Sequence, residues 1–167
     1  MATVVFKVGN DVSTDAIYPG RYMATVLPTE TPQYCFADHK EFNEKLNKGE
    51  IPAGSVVVAG TNFGCGSSRE QAASCLKGWG LIVVAKSIAR IFLQNAINLG
   101  LQTIICPEIE AEVGDELEML PDKIINKTSG KTFAIIPHAP ARQAIIDAGG
   151  LIPYARKKLL QERGAKA

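Results

Sequence analysis

The segment Asn62-Phe63-Gly64-Cys65-Gly66-Ser67-Ser68-Arg69-Glu70 sets two adjacent hydroxyls and an arginine on a glycine-rich turn. That set of residues is suited to gripping an anion. Ser67 and Glu70 stand in the S-x-x-E relation of a capping box, which predicts Ser67 as the N-cap of a following helix. First-turn N–H groups, together with the helix dipole, would then favour a bound carboxylate or phosphate. Arg69 adds a fork able to bind a carboxylate through two bonds. The S-x-x-E pattern alone equally suits a plain capping box beside a surface arginine. Gly60, Gly64 and Gly66 favour the anion site, because a simple cap does not need backbone opened for close approach. A phosphate loop is excluded, since no Gly-Lys-Ser/Thr follows at the required spacing. The dinucleotide fingerprint begins with Gly64 and Gly66 but meets Arg69 where its third glycine belongs, and no acidic residue near Lys86 is placed to hold a ribose.

The elements that must position this turn follow from periodicity. Val4 to Val8 reads as a first strand, and Gly9 to Asp15 as a polar turn whose Asn and Asp side chains can bond their own backbone. Pro19-Gly20 marks another turn, and residues 28 to 50 an excursion with one solvated helix around Glu41 to Leu46. Strand 55–59, helix 68–78, strand 81–85, helix 88–98 and strand 101–105 then alternate as βαβαβ, the signature of a parallel sheet covered by helices. Ser87 is expected to cap the second of these helices and Gly100 to end it, with Ile88, Phe92 and Ile97 facing the core. Short strands are predicted at 116–119, 123–126 and 131–136, with a hairpin turn at Thr128-Ser129-Gly130. Two helices follow, Pro140 to Ala148 and Pro153 to Arg163, the latter opened by its proline.

With 167 residues, 46% of them hydrophobic, the chain closes one good core, so residues 1–167 read as a single domain. A formal charge of +1 gives no electrostatic reason to expect nucleic acid, and the basic cluster Arg156-Lys157-Lys158 reads as a solvated last helix. Cys35, Cys65, Cys75 and Cys106 have no C-x-x-C spacing, and His39 and His138 lie far from them in sequence, so no metal site is legible. Scattered cysteines, together with the lack of a signal peptide or a long apolar run, point to the cytoplasm rather than to a membrane.

Three ordered motifs carry a family resemblance: Gly9-Asn10-Asp11-Val12-Ser13-Thr14-Asp15-Ala16-Ile17, Phe63 to Glu70, and Ala85-Lys86-Ser87-Ile88-Ala89-Arg90-Ile91-Phe92. Over almost its whole length the chain resembles the small subunits of the isopropylmalate dehydratases, aconitase-like iron–sulfur hydro-lyases. The resemblance implies an α/β fold, an aconitase-like swivelling domain of β/β/α layers with a central parallel βαβαβ sheet. It implies docking on a large subunit that carries a [4Fe–4S] cluster, as a heterodimer or heterotetramer. The implied reaction removes water from a 2-hydroxy dicarboxylate and returns it at the neighbouring carbon. By motif position, Ser67 would take the carbon-bound proton, and Ser68 and Arg69 would hold a substrate carboxylate. Asp15, with Gly64, Gly66 and Glu70, would support them.

A helix N-terminus contributes about 0.3 to 2 kcal/mol to an anion, so it shifts a hydroxyl pKa by roughly one unit. That alone cannot make Ser67 a base, and Arg69, the exclusion of water and cationic or metal groups from the partner would have to supply the rest. The segment expected to select the substrate departs from the family pattern. Short members often carry Tyr-Leu-Arg-Thr after the Pro-Gly turn, whereas this chain has Tyr22-Met23-Ala24-Thr25. Met23, Ala24 and Val26 suit an alkyl branch, and Arg21 offers a displaced charge. 3-Isopropylmalate therefore fits, and 2,3-dimethylmalate or citramalate fits nearly as well, since one methylene changes affinity by only about 1 to 3 kcal/mol; a homoaconitase substrate, which carries an extra carboxylate, fits that apolar loop worse. Outside the family, the competing reading is a non-catalytic anion-binding module.

Overall fold

The computed structural model describes residues 1–165. They form seven strands and six α-helices in the order β1 (Ala2–Lys7), α1 (Thr14–Ile17), α2 (Lys40–Asn47), β2 (Val56–Ala59), α3 (Glu70–Gly78), β3 (Ile82–Ala85), α4 (Arg90–Leu99), β4 (Thr103–Ile105), β5 (Glu116–Met119), β6 (Lys123–Asn126), β7 (Thr132–Ala134), α5 (Pro140–Asp147) and α6 (Leu151–Ala165). One sheet runs β4-β3-β2-β1-β5-β6-β7. Its β1 to β4 half is parallel, and β1, β5, β6 and β7 pair antiparallel. The chain is thus an α/β fold in which β1 belongs to both halves.

Side-chain alternation explains the layers. Successive residues of a strand face opposite sides, so Val57, Ala59, Val83 and Ala85 enter one core with Ala72, Ala73 and Leu76 of α3 and Phe92 and Ala96 of α4. Val56, Val58 and Val84 enter a second core with Leu117, Ile124 and Phe133 of the antiparallel half. Helices, parallel strands and antiparallel strands therefore stack in that order, and all four residues of β2 are buried, as expected of a strand covered on both faces.

The βαβαβ unit and the three later strands form where periodicity places them, and the Gly130 turn closes β6–β7 with its φ of 75°. Gly100 ends α4 at φ 73°. Three expectations fail at helix starts. Helix α3 begins at Glu70 with Arg69 as N-cap, and no side chain caps it. Helix α4 begins at Arg90 after Ala89, also without a side-chain cap, because the Ser87 hydroxyl accepts instead from the Asn62 N–H at 2.7 Å. Ile88 consequently precedes the helix, although it still packs on the first core. Helix α6 starts at Leu151, which leaves Pro153 in its first turn, where a proline costs no hydrogen bond.

Candidate functional site

The three sequence motifs converge where β1, β2 and β3 end. Parallel pairing continues past the strands into their loops, as isolated bridges Ser13 to Cys65 and Phe63 to Ile88. The backbone bonds are Gly64 N–H to Val12 O at 2.7 Å, Thr14 N–H to Cys65 O at 2.8 Å, and Ala89 N–H to Phe63 O at 2.8 Å. The site thus lies outside the carboxyl ends of parallel strands, where open α/β sheets bind ligands. In the polar turn after β1, Ser13 Oγ accepts from the Ala16 N–H at 3.1 Å and caps α1, but Asn10 and Asp11 do not bond the turn's own backbone as expected. Asn10 Oδ1 accepts from Thr61 N at 2.9 Å and Asp11 Oδ1 accepts from Asn62 Nδ2 at 2.8 Å, so both side chains fasten the first loop to the second.

Gly64 sets the course of the second loop. Its φ is +81°, and a Cβ there would lie 2.3 Å from Phe92 Cγ, so only glycine lets the turn pass over that ring. Phe63 meets Phe92 edge to face at 5.3 Å between ring centres. Gly66, at φ +98°, adds a second left-handed step that brings Ser67 out to solvent.

Ser67 is not an N-cap, and the capping box with Glu70 does not form. A helix that starts at Glu70 leaves Ser67 before the first turn, and its hydroxyl instead lies 3.1 Å from Thr14 Oγ1. Thr14 Oγ1 also reaches the Ser67 carbonyl at 3.2 Å. Ser68 is exposed, and its carbonyl accepts from Asn95 Nδ2 at 3.3 Å.

Arg69 is three-quarters sheltered, its side chain 21% exposed. Its Nη1 donates to Asp15 Oδ1 and to the Tyr18 carbonyl, the latter at 3.3 Å. Asp15 Oδ1 also accepts from the Gly20 N–H at 2.8 Å. The Arg69 hydrogen bond, followed by that of Gly20, lowers the Asp15 carboxyl below its usual 3.8. Asp15 therefore fixes one edge of the guanidinium and leaves Nη2 and Nε, a complete two-donor edge, for an incoming carboxylate.

The 22–25 segment borders this grip. Tyr18 Oη donates to Tyr22 O at 3.1 Å, and Gln71 Nε2 donates to Met23 O at 3.5 Å, tying the segment to the start of α3. Met23 and Ala24 are exposed, Thr25 is half-buried, and Val26 is 64% exposed. Tyr22 turns inward, its ring stacked on Tyr34 at 4.0 Å, and so offers a ligand little more than its edge. Arg21 is also committed elsewhere, to Asp38 at 2.5 Å and over the Tyr22 ring at 4.7 Å. The displaced charge expected of it is spent.

The residues do not fit an iron–sulfur cluster. Among the described residues no group of three or more His, Cys, Asp or Glu could hold a metal. Cys35, Cys75 and Cys106 are buried, and burial pushes the Cys106 thiol up to about 11.

Arg90 and Arg142 carry no sequence signal of a shared site. They line an open cavity against the Gly64–Gly66 turn. Arg90 belongs to the Ala85–Phe92 motif, but nothing in the sequence signals that Arg142, on α5, reaches the same place.

Comparison with known proteins agrees with this arrangement. The aconitase C-terminal domain profile matches residues 12–108, a span that holds the second and third motifs whole and the first from Val12 onward. The chain is 44% identical to the 3-isopropylmalate dehydratase small subunit of Moorella thermoacetica, covering 90% of this chain and 92% of that one. It is 45% identical to the small subunit of the same name from Methanosarcina mazei, over 95% and 97%. A crystal structure of 3-isopropylmalate dehydratase from Methanocaldococcus jannaschii superposes with a TM-score of 0.86 at 42% identity, covering 97% of each chain. With the motifs, the layered sheet and nearly full-length identity all in agreement, the chain belongs to the aconitase C-terminal domain family, among the 3-isopropylmalate dehydratase small subunits.

Proposed function

We propose that this chain is the small subunit of a two-subunit hydro-lyase whose substrate is 3-isopropylmalate, as the names of its relatives suggest, and that it works in leucine biosynthesis in the cytoplasm. The observation that carries the reading is the Arg69 grip, a sheltered guanidinium whose Nη1 is held by Asp15 and whose Nη2 and Nε have no hydrogen-bond partner among the described residues, directly after two exposed serines in the chain. In this reading the free edge of Arg69 and the Ser68 hydroxyl hold one carboxylate of the malate. Ser67 Oγ takes the proton from the adjacent carbon.

The partner that Ser67 has here supports a dependence on a second subunit. Its contact is the neutral Thr14 hydroxyl, and the charge of Arg69 is shared with Asp15. A helix end supplies about one pKa unit, far short of what a serine base needs. The large subunit is proposed to bring the remaining positive charge and the [4Fe–4S] cluster, for which this chain lacks a fitting ligand set among the described residues. Exclusion of water on docking would strengthen every such interaction. No helix among the described residues is long and apolar enough to cross a membrane.

One observation favours a second substrate reading. The exposed side chains of the 22–26 loop that could reach a ligand, Met23, Ala24 and Val26, are apolar and carry no charge, which also suits 2,3-dimethylmalate or citramalate. The test is anaerobic reconstitution of the purified chain with its large subunit and assay of 3-isopropylmalate, 2,3-dimethylmalate and citramalate. Highest kcat/KM for 3-isopropylmalate with the pair, and none with the chain alone, is the expected result. Turnover by the isolated chain, or no turnover of any substituted malate by the pair, would refute it.

A further inference from the structure

The cavity behind the Gly64–Gly66 turn has a volume of about 760 Å³, within the roughly 300 to 1,000 Å³ of small-molecule sites. Its walls come from the 62–66 loop, from the start of α4 and from Arg142 of α5. No aspartate or glutamate lines it, whereas Arg90 and Arg142 both do. Among the described residues neither arginine takes part in an ion pair.

The amides of the wall are already engaged. Asn62 Nδ2 donates to Asp11, Gln94 Nε2 to Asn98, and Asn95 Nδ2 to the Ser68 carbonyl. The two guanidinium groups are thus the uncommitted charged donors, and Ala89, Ile91 and Leu93 supply an apolar wall beside them. Such a lining takes an acid with a hydrocarbon body and no positive charge of its own. Ser67, Ser68 and Arg69 do not line this cavity, yet Gly66, which does, is covalently joined to Ser67.

We propose that the Arg90–Arg142 cavity is a capture site for small carboxylates bearing an apolar substituent, distinct from the Arg69 grip and adjoining it at the 65–67 turn. The proposal rests on the reading of this chain as a subunit that handles substituted malates, and it gives that substrate a first stop. Two arginines beside an apolar wall retain an alkyl-substituted dicarboxylate over inorganic anions, and the turn then leads to Ser67. Because the cavity is open to solvent, its attraction is screened by salt over a Debye length of about 8 Å at physiological ionic strength.

The test is an amide NMR titration of the isolated, isotope-labelled chain with 3-isopropylmalate, and separately with inorganic sulfate. Saturable shifts are expected at 89–95 and around Arg142. The Arg90→Gln/Arg142→Gln double variant should weaken them about tenfold or more, Arg90→Lys/Arg142→Lys should restore part of the affinity, and Arg69→Gln should leave them in place. Retention of the native amide spectrum checks that each variant is folded. Absence of saturable binding, or loss of the shifts in Arg69→Gln, overturns the proposal. Sulfate binding as tight as 3-isopropylmalate reduces the cavity to a site for an adventitious ion only and also overturns it. If binding is absent and the double variant instead fails to assemble with the large subunit, the arginines belong to the subunit contact. Failure of the reconstituted pair to dehydrate 3-isopropylmalate, with cavity binding intact, refutes the proposed function and spares the capture site.

Discussion

Arg69 and Asp15 face each other between the first two loops at the end of the parallel sheet, and the Gly20 N–H reaches the same carboxylate oxygen at 2.8 Å. Gly20 is open enough for this, since a Cβ there would lie 3.2 Å from both Arg69 Nη2 and Asp15 Oδ1. The acidic partner thus orients the guanidinium without covering its free edge. Replacing Asp15 by Asn keeps an acceptor but removes the charge that aims the arginine. The expected outcome in the reconstituted enzyme is a rise in KM on the order of tenfold with a smaller change in kcat. The pH dependence has a definite sign. Because the folded-state carboxyl is lowered from 3.8, the contact contributes above that value and is lost as pH falls below 3.8 through the folded pKa. Arg69–Asp15 pairing followed by NMR against pH would check it.

Ser67→Ala is expected to abolish turnover in the reconstituted enzyme and to leave stability within about 0.5 kcal/mol of the parent. If Ser67 were an N-cap, the loss would be about 0.5 to 2 kcal/mol. Denaturant midpoints of the isolated chain distinguish the two, and near-normal turnover would remove Ser67 from the chemistry. Arg69→Lys should mainly weaken substrate binding, since an ammonium cannot reproduce a two-donor edge.

The difference at Ser67 shows what the sequence carries and what it omits. Local signals place β5 and β6 at their observed residues and the Gly64–Gly66 turn after a strand, because apolar runs and glycine turns are enforced by burial and by backbone sterics. Cap signals misled at Ser67 and Ser87, where tertiary partners outbid the helix: Thr14 takes one hydroxyl and the Asn62 N–H the other. The same holds for Asn10 and Asp11, whose side chains serve a loop about 50 residues later in the chain. The inward ring of Tyr22 depends on Tyr34, and the cavity joins Arg90 to an arginine on another helix. No local pattern encodes such long-range pairs.

Gly64→Ala should be among the most damaging single changes. It adds a Cβ at φ +81° that meets Phe92 at 2.3 Å. A left-handed non-glycine residue costs about 1 to 3 kcal/mol, and overpacking costs about 1 to 3 kcal/mol more. Thermal unfolding should show a marked drop in Tm. Gly66→Ala, whose Cβ would have no neighbour closer than 3.6 Å, should lose only the conformational part.

Substitution of Ala24 by arginine tests the specificity loop. An unpaired buried carboxylate is penalised by several kcal/mol, and Met23, Ala24 and Val26 provide it no partner. The reconstituted parent should therefore prefer 3-isopropylmalate to homocitrate, and Ala24→Arg should narrow that preference in kcat/KM. Preference of the parent for homocitrate would refute the apolar-loop reading, while an unchanged ranking in the variant would move the determinant to the large subunit.

The position of β1 in the sheet has a consequence for synthesis. Ala2–Lys7 is made before both of its neighbours, β2, starting at Val56, and β5, starting at Glu116. The nascent strand, with Val4 and Val5 among its apolar residues, must wait until most of the chain has emerged before both its edges are covered. Pairing across such separations slows folding, and an unpaired apolar strand is a template for aggregation. Refolding should accordingly yield less soluble protein as concentration rises, and nascent chains truncated before Glu116 should engage chaperones through Ala2–Lys7.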